Sequence, residues 1–351
     1  MTNKAAPGHF FEDFHLGQVM RHATPRTLGP GDQALYTALY GGRFAVHSAE
    51  SFARQLGYPG LPLDELLVFH VVFGKTVPDI SLNAVANLGY AGGVFHQPVY
   101  AGDTLSTTSE VIGLKENSNG KTGTVYVRSL GVNQRGENIV NYVRWVMVRK
   151  RDAASQPPEA MVPELPRAVA PEELVVPDGL DLSGYDSELA GSPHLWDDYD
   201  EGERIDHADG LTIEEAEHQL ATRLYQNTAK VHFNQHQEKD GRFGRRIVYG
   251  GHIISIARAL SFNGLANAFR VAAINAGRHT APSFAGDTIY AWSEVLEKAE
   301  LPGRRDVGAL RVRSVATKDR PAGDFPFKAD DGAYESAVVL DLDYWVLMPR
   351  R

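Results

Sequence analysis

Phe11-Glu12-Asp13-Phe14, followed at Gly17, returns as Trp196-Asp197-Asp198-Tyr199, followed at Gly202, at an offset of 185 (196 − 11 = 185). The same offset carries His22 onto His207, Leu39-Tyr40 onto Leu224-Tyr225 and His47 onto His232. Farther along, Gly102-Asp103-Thr104 and Ser109-Glu110-Val111 match Gly286-Asp287-Thr288 and Ser293-Glu294-Val295 at 184, and Val127-Arg128-Ser129 matches Val312-Arg313-Ser314 at 185. Trp145-Val146 matches Trp345-Val346 at 200, so the second copy holds 200 − 185 = 15 additional residues, placed in the Pro-, Gly- and Asp-rich stretch from Thr317 to Ser336. Chance matches do not hold one offset along most of a chain. Two copies are too few for a solenoid, so the pattern reads as a fused pseudo-dimer.

The repeat divides the 351 residues into a first copy over 1–151, a connecting segment over 152–193 and a second copy over 194–351. The connector holds Pro157, Pro158, Pro163, Pro166, Pro171 and Pro177, which predicts an extended, semi-rigid linker rather than a packed element. Each copy has one plan. A helical segment (Asp32–Leu39, Ile213–Leu224) precedes a loop bearing the histidine. An apolar helix comes next (Leu66–Val77, His252–Phe262), then strands such as Val125–Val127, Leu310–Val315 and Val338–Leu347. The fold class expected is α+β, an antiparallel sheet wrapped around a helix in each copy.

Composition narrows the function. Apolar residues make up 43% and charged residues 23%, ordinary for a soluble globular chain. The absence of cysteine removes disulfides, thiolate nucleophiles and Cys-ligated zinc, and suits a cytoplasmic protein. No signal-peptide pattern or 18-residue apolar run is found, so no membrane association is expected. A net charge of −9 argues against nucleic acid as a partner.

The copies differ where chemistry would be placed. Setting His252 against His70 (252 − 70 = 182) puts Leu67-Val68-Phe69 opposite Tyr249-Gly250-Gly251. Glycines at a helix start leave backbone N–H groups open to a ligand, where the helix dipole favours negative charge. Such amides would stabilise a thioester oxygen becoming an enolate. Copy one instead offers Asp64, a natural N-cap whose carboxylate would occupy that positive end. Tyr249, Gly250, Gly251 and His252 are therefore the candidate oxyanion site. His232 is the candidate general base, since a neutral imidazole moves protons near pH 7; the bland alternative is a structural histidine. His232 and His236 are four apart, but no carboxylate stands at a ligand spacing, so no metal is expected. Arg43, Lys230, Asn234, Arg245, Arg246 and Arg278 are candidates for holding substrate carboxylate or phosphate, against the alternative of a solvated surface.

These features resemble the MaoC-like hydratase family. The segments that carry the likeness are Phe-Glu-Asp-Phe-x-x-Gly, TPRTLGPGDQALYTAL (24–39), Val248-Tyr249-Gly250 opening a helix, and Pro-x-x-x-Gly-Asp-Thr in both copies. Longer stretches, KTVPDISLNAVANLGYAGG (75–93), YVRWVMVRKRD (142–152), KVHFNQ (230–235) and GRRIVYGGHIISIARALSFNGL (244–265), are similar to one branch of that family. The resemblance implies a double hot-dog fold and reversible addition of water to an enoyl-CoA. For that branch it implies 2-methylfumaryl-CoA and β-methylmalyl-CoA as the reacting pair. No cofactor is implied, coenzyme A being part of the substrate, and a homo-oligomer is expected. The family pairs an Asp with the His; here Asn227 stands five before His232, and Gly42 five before His47. Asn227 takes no proton, but its amide can orient a water. An acyl-CoA thioesterase and a non-catalytic acyl-CoA-binding protein are the competing readings.

Overall fold

The computed structural model describes residues 4–351. The strands of the described chain are β1 Val19–Thr27, β2 Ala84–Phe95, β3 Thr104–Glu116, β4 Thr122–Val132, β5 Asn138–Arg149, β6 Arg204–Thr212, β7 Arg270–His279, β8 Thr288–Glu300, β9 Val307–Lys318 and β10 Val338–Pro349. They form one sheet in the order β1-β3-β4-β5-β2-β7-β10-β9-β8-β6, antiparallel throughout. The order reads the same from both edges once the copies are exchanged. The halves meet where β2 pairs β7, with Tyr90 opposite Gly277 and Val94 opposite Ala273.

The α-helices among the described residues are α1 Pro30–Tyr40, α2 Ala45–Ser48, α3 Glu50–Gln55, α4 Glu65–Thr76, α5 Glu215–Leu224, α6 Lys230–Phe233, α7 Gln235–Glu238, α8 Gly250–Leu260 and α9 Phe262–Leu265. Both candidate histidines ride on single helical turns, His47 on α2 and His232 on α6. All twelve residues of α4 are buried, as are Gly251–Arg258 of α8. A helix apolar on every side is one the fold encloses. One apolar cluster takes in Leu67, Val71 and Tyr142 from copy one and Ile254, Val312 and Val346 from copy two, so the halves share a core. Each buried Leu, Val or Ile there contributes roughly 1.5–3 kcal/mol.

The pseudo-twofold is visible in paired side chains. Tyr40 and Tyr225 hydroxyls meet at 2.7 Å, and His70 Nε2 lies 3.0 Å from Ser255 Oγ; both pairs are 185 apart. Helix starts therefore align at 185, with Asp64 at the place of Tyr249, Glu65 at Gly250 and Leu66 at Gly251. The sequence register of 182 is corrected: His252 corresponds to Leu67, and matching like histidines had displaced the helix ends.

The connector also differs from expectation. It has almost no regular structure, yet it packs. Val169, Leu174, Leu180 and Leu182 are buried in a cluster with Phe269, Trp345 and Leu347. Val169 is fixed at both ends: its N–H donates to Asn275 Oδ1 at 2.8 Å, and its carbonyl accepts from Trp345 Nε1 at 3.0 Å. Proline supplies the extended backbone, but the apolar residues between the prolines cover an otherwise bare sheet face. The inserted loop after β9 lies where the sequence placed it, with Phe325 and Phe327 against Trp292.

Candidate active site

A cavity of about 490 Å³ lies between the copies. Copy one contributes Phe73 and Val77 at the end of α4, Asn87 and Tyr90 from β2, and Arg144 and Arg149 from β5. Copy two contributes Asn227, Lys230 and His232, then Tyr249 and Gly250 at the start of α8, and His279 at the end of β7.

His232 has a defined protonation state. Its Nδ1 lies 2.9 Å from the carbonyl of Ile247. A carbonyl only accepts, so Nδ1 carries the proton. Burial pushes the ring down to about 4, partly countered by that bond, so it is neutral near pH 7. Nε2 then holds a lone pair and has no hydrogen-bond partner among the described residues. Asn227 precedes the same turn; its Oδ1 accepts from Ala229 N–H at 3.1 Å, which leaves Nδ2 as a donor at the cavity wall.

Copy one holds the same constellation with a different ending. His47 Nδ1 lies 3.2 Å from the carbonyl of Pro62, and 62 + 185 = 247. Its Nε2, however, meets Glu65 Oε2 at 3.3 Å. Glu65 Oε1 in turn takes Arg270 Nη1 at 3.2 Å. Glu65 occupies the position that is Gly250 in copy two. Burial lowers the His47 pKa, but Glu65 outweighs it and holds the imidazolium up to about 9. Desolvation of Glu65 is outweighed by His47 and Arg270, so it stays ionised. Asp64 caps α4 by accepting from Leu66 N–H at 2.8 Å. The histidine of copy one is thus a cation locked in a buried ion-pair chain, whereas that of copy two is a free base.

Gly250 opens α8, and Tyr249 as N-cap provides no side-chain cap. The helix-start amides therefore lack a carboxylate acceptor of the Asp64 kind. A Cβ on Gly250 would lie 2.4 Å from His279 Nε2, so only glycine lets that ring cover the helix start. His279 is pushed down to about 4 by burial and reaches the Tyr90 hydroxyl at 3.5 Å.

Several sequence candidates lie elsewhere. His252 is fully buried on the inner face of α8, its Nδ1 2.8 Å from the Tyr40 hydroxyl, because a helix residue two past the first glycine points into the core. Gly251 is buried against Tyr249 and His70 rather than at the cavity surface. Asn234 caps α7, accepting from Gln237 N–H at 3.1 Å. Arg246 is tied to Glu215. Arg43 lies over the Phe262 ring and Arg245 over the Phe284 ring, and Arg278 projects from β7 toward Tyr334. Of the six proposed anion-holding residues only Lys230 lines the cavity.

Arg144 escaped sequence reasoning. It is fully buried. Its Nη2 donates to Thr76 Oγ1 at 2.8 Å and its guanidinium covers the Phe73 ring at 4.3 Å. Nε and Nη1 have no partner among the described residues, and neither does either side-chain polar atom of Asn87. A readable signal existed: Tyr142, Arg144, Val146 and Val148 alternate along one strand, and a cation on the apolar face of such a strand is out of pattern.

The sequence model of mesaconyl-CoA hydratases matches residues 2–324. The chain belongs to the mesaconyl-CoA hydratase family. Within that family it is 67% identical over 351 residues to the β-methylmalyl-CoA dehydratase of Chloroflexus aurantiacus, covering 100% of both chains. It is 59% identical to the mesaconyl-CoA hydratase of Cereibacter sphaeroides, covering 99% of this chain and 100% of that one. A solved MaoC domain dehydratase from Chloroflexus aurantiacus superposes with a TM-score of 0.98 at 66% identity, with both chains covered in full. A Mycobacterium tuberculosis protein described as a double hot-dog fold superposes at 0.76 with 26% identity, over 98% and 99% of the two chains. The chain is a double hot-dog protein and a hydro-lyase of this family.

Proposed function

We propose that the protein interconverts 2-methylfumaryl-CoA and β-methylmalyl-CoA, and that His232 and the start of α8 perform the reaction. The observation that carries this assignment is the free Nε2 of a neutral His232 in the same cavity as Gly250. The thioester carbonyl lies against the helix-start amides. Water, held by Asn227 Nδ2 and His232 Nε2, adds its oxygen to the β-carbon. His232 takes the water proton as the C=C electron pair moves toward the thioester oxygen. The resulting enolate is stabilised by the amides and the helix dipole. Protonation at the α-carbon completes the addition, and a single imidazole suffices for both transfers when addition is syn. An imidazole with so low a pKa is a weak base toward free water. The negative charge arriving with the substrate and growing on the enolate raises its basicity when it is needed.

Lys230, Arg149 and Arg242 line the cavity and suit the coenzyme A phosphates. A coenzyme A thioester as substrate supports a cytoplasmic location, and the outer edges of β1 and β6 offer surfaces for association into a homo-oligomer. The test is incubation with 2-methylfumaryl-CoA while monitoring both the conjugated thioester absorbance and free thiol. Loss of absorbance without thiol release is expected; stoichiometric thiol release would assign a thioesterase, and binding without turnover a carrier.

A further inference from the structure

The Arg144 guanidinium is a fully buried charge without a counter-ion among the described residues. Only tyrosines, Tyr142, Tyr90 and Tyr249, contribute to it favourably, and burial holds its pKa below the usual arginine value. Two of its three nitrogens are unsatisfied at a cavity wall. A buried cation left in this way is costly unless something anionic completes it. Arg270, also buried in the core, is by contrast neutralised by Glu65.

Neighbouring groups give the position a chemical bias. Asn87 lies on β2 opposite Val146, on the cavity side, with both its amide oxygen and nitrogen unpaired. Tyr90 lies directly opposite Arg144 across the β2–β5 ladder and reaches His279, which covers Gly250. The ladder therefore runs from an unpaired guanidinium toward the helix start where a thioester carbonyl would lie. Phe73 and Val77 close the wall between with apolar surface.

We propose that Arg144, supported by Asn87, is the binding site for a carboxylate at the far end of the acyl chain, so that the cavity selects acyl-CoA thioesters ending in a carboxylate over those ending in methyl. A carboxylate accepts from the unpaired N–H groups of the guanidinium, and the Asn87 amide adds a donor. The first half of the chain thus supplies substrate selection for chemistry performed by the second half. This assignment deepens the hydration reading and rests on it for the pose of the thioester, but the carboxylate preference can be measured without turnover.

Binding of succinyl-CoA and butyryl-CoA, both saturated and unable to undergo hydration, is compared by calorimetry on the full-length wild type, R144Q and R144K. Wild type should prefer succinyl-CoA by ~100-fold, the scale at which a site built for a polar group rejects an analogue lacking it. R144Q should reduce that preference to within ~3-fold while leaving the butyryl-CoA affinity in place, and R144K should keep part of it as a point charge without the fork. Equal affinity of the wild type for the two ligands overturns the proposal, and so does an R144Q protein that keeps the preference or loses both ligands alike. A wild type that prefers succinyl-CoA but does not hydrate 2-methylfumaryl-CoA upholds the subsite and overturns the hydration reading.

Discussion

His47 and His232 are the same residue at two positions of one repeat, and each spends Nδ1 on a backbone carbonyl of the same register. The group that meets Nε2 sets their fates. Glu65 makes His47 an imidazolium, and glycine at the matching position leaves His232 neutral. The pH dependence has a definite sign. His70, His207, His232, His252 and His279 are lowered by burial to between about 3 and about 4, below their unfolded value near 6.5. The unfolded chain therefore takes up protons first, and stability falls as pH drops below ~6.5. His47 is raised to about 9, so its contribution is complete below ~6.5 and disappears as pH rises through 9. Thermal unfolding across pH 4–10 should show the acid decline in wild type and H47Q alike, with the alkaline decline reduced in H47Q. Because His232 is already deprotonated above about 4, kcat/KM should stay level from pH 8 down to ~6, with the acid limb emerging only farther down. The sequence marked individual histidines and Asn227 as candidates. Their protonation was not legible there, because it depends on carbonyls and carboxylates fifteen or more residues away.

Helices α4 and α8 carry the difference at the next scale. Each is a buried rod inside its sheet; one begins Asp-Glu and the other Tyr-Gly. G250A would place a methyl 2.4 Å from His279 Nε2 and force that ring off the helix start. The amide itself remains, but the methyl and the displaced ring crowd the place of the thioester, so turnover should fall by roughly 100-fold, the scale of a reacting group misplaced by about 1 Å. G74A tests packing instead. Its Cβ would lie 1.8 Å from the Tyr225 carbonyl, where α4 passes the end of α5, so separation of the copies is forced and stability should drop by about 1–3 kcal/mol in denaturant titration. Element type and order were readable from periodicity, and helices and strands fall close to their expected positions. The helix-start register was not, because it is fixed by caps and carbonyl positions rather than by residue likeness. The connector was misread for a related reason: proline content reports backbone stiffness, whereas the burial of Val169, Leu174 and Leu182 depends on a sheet face assembled from distant strands.

Over the whole molecule, the two copies form one sheet, one shared core and one composite cavity. The pseudo-symmetry has been broken in one direction only: one potential site is filled by Glu65 and Arg270, while the other stays open. The repeat made the duplication legible, and the absence of a full Asp–His pair in either copy was also visible. Arg144 was visible only as a cation out of pattern on an apolar strand face; that this face lines the same cavity as His232 depends on how the sheet assembles. The division of labour between the copies is tested most directly by measuring kcat/KM for 2-methylfumaryl-CoA in H232A and H47Q side by side, each with native circular dichroism. A loss of ~100-fold or more is predicted in H232A and less than ~10-fold in H47Q. Near-wild-type turnover in H232A, or a collapse confined to H47Q, would contradict it.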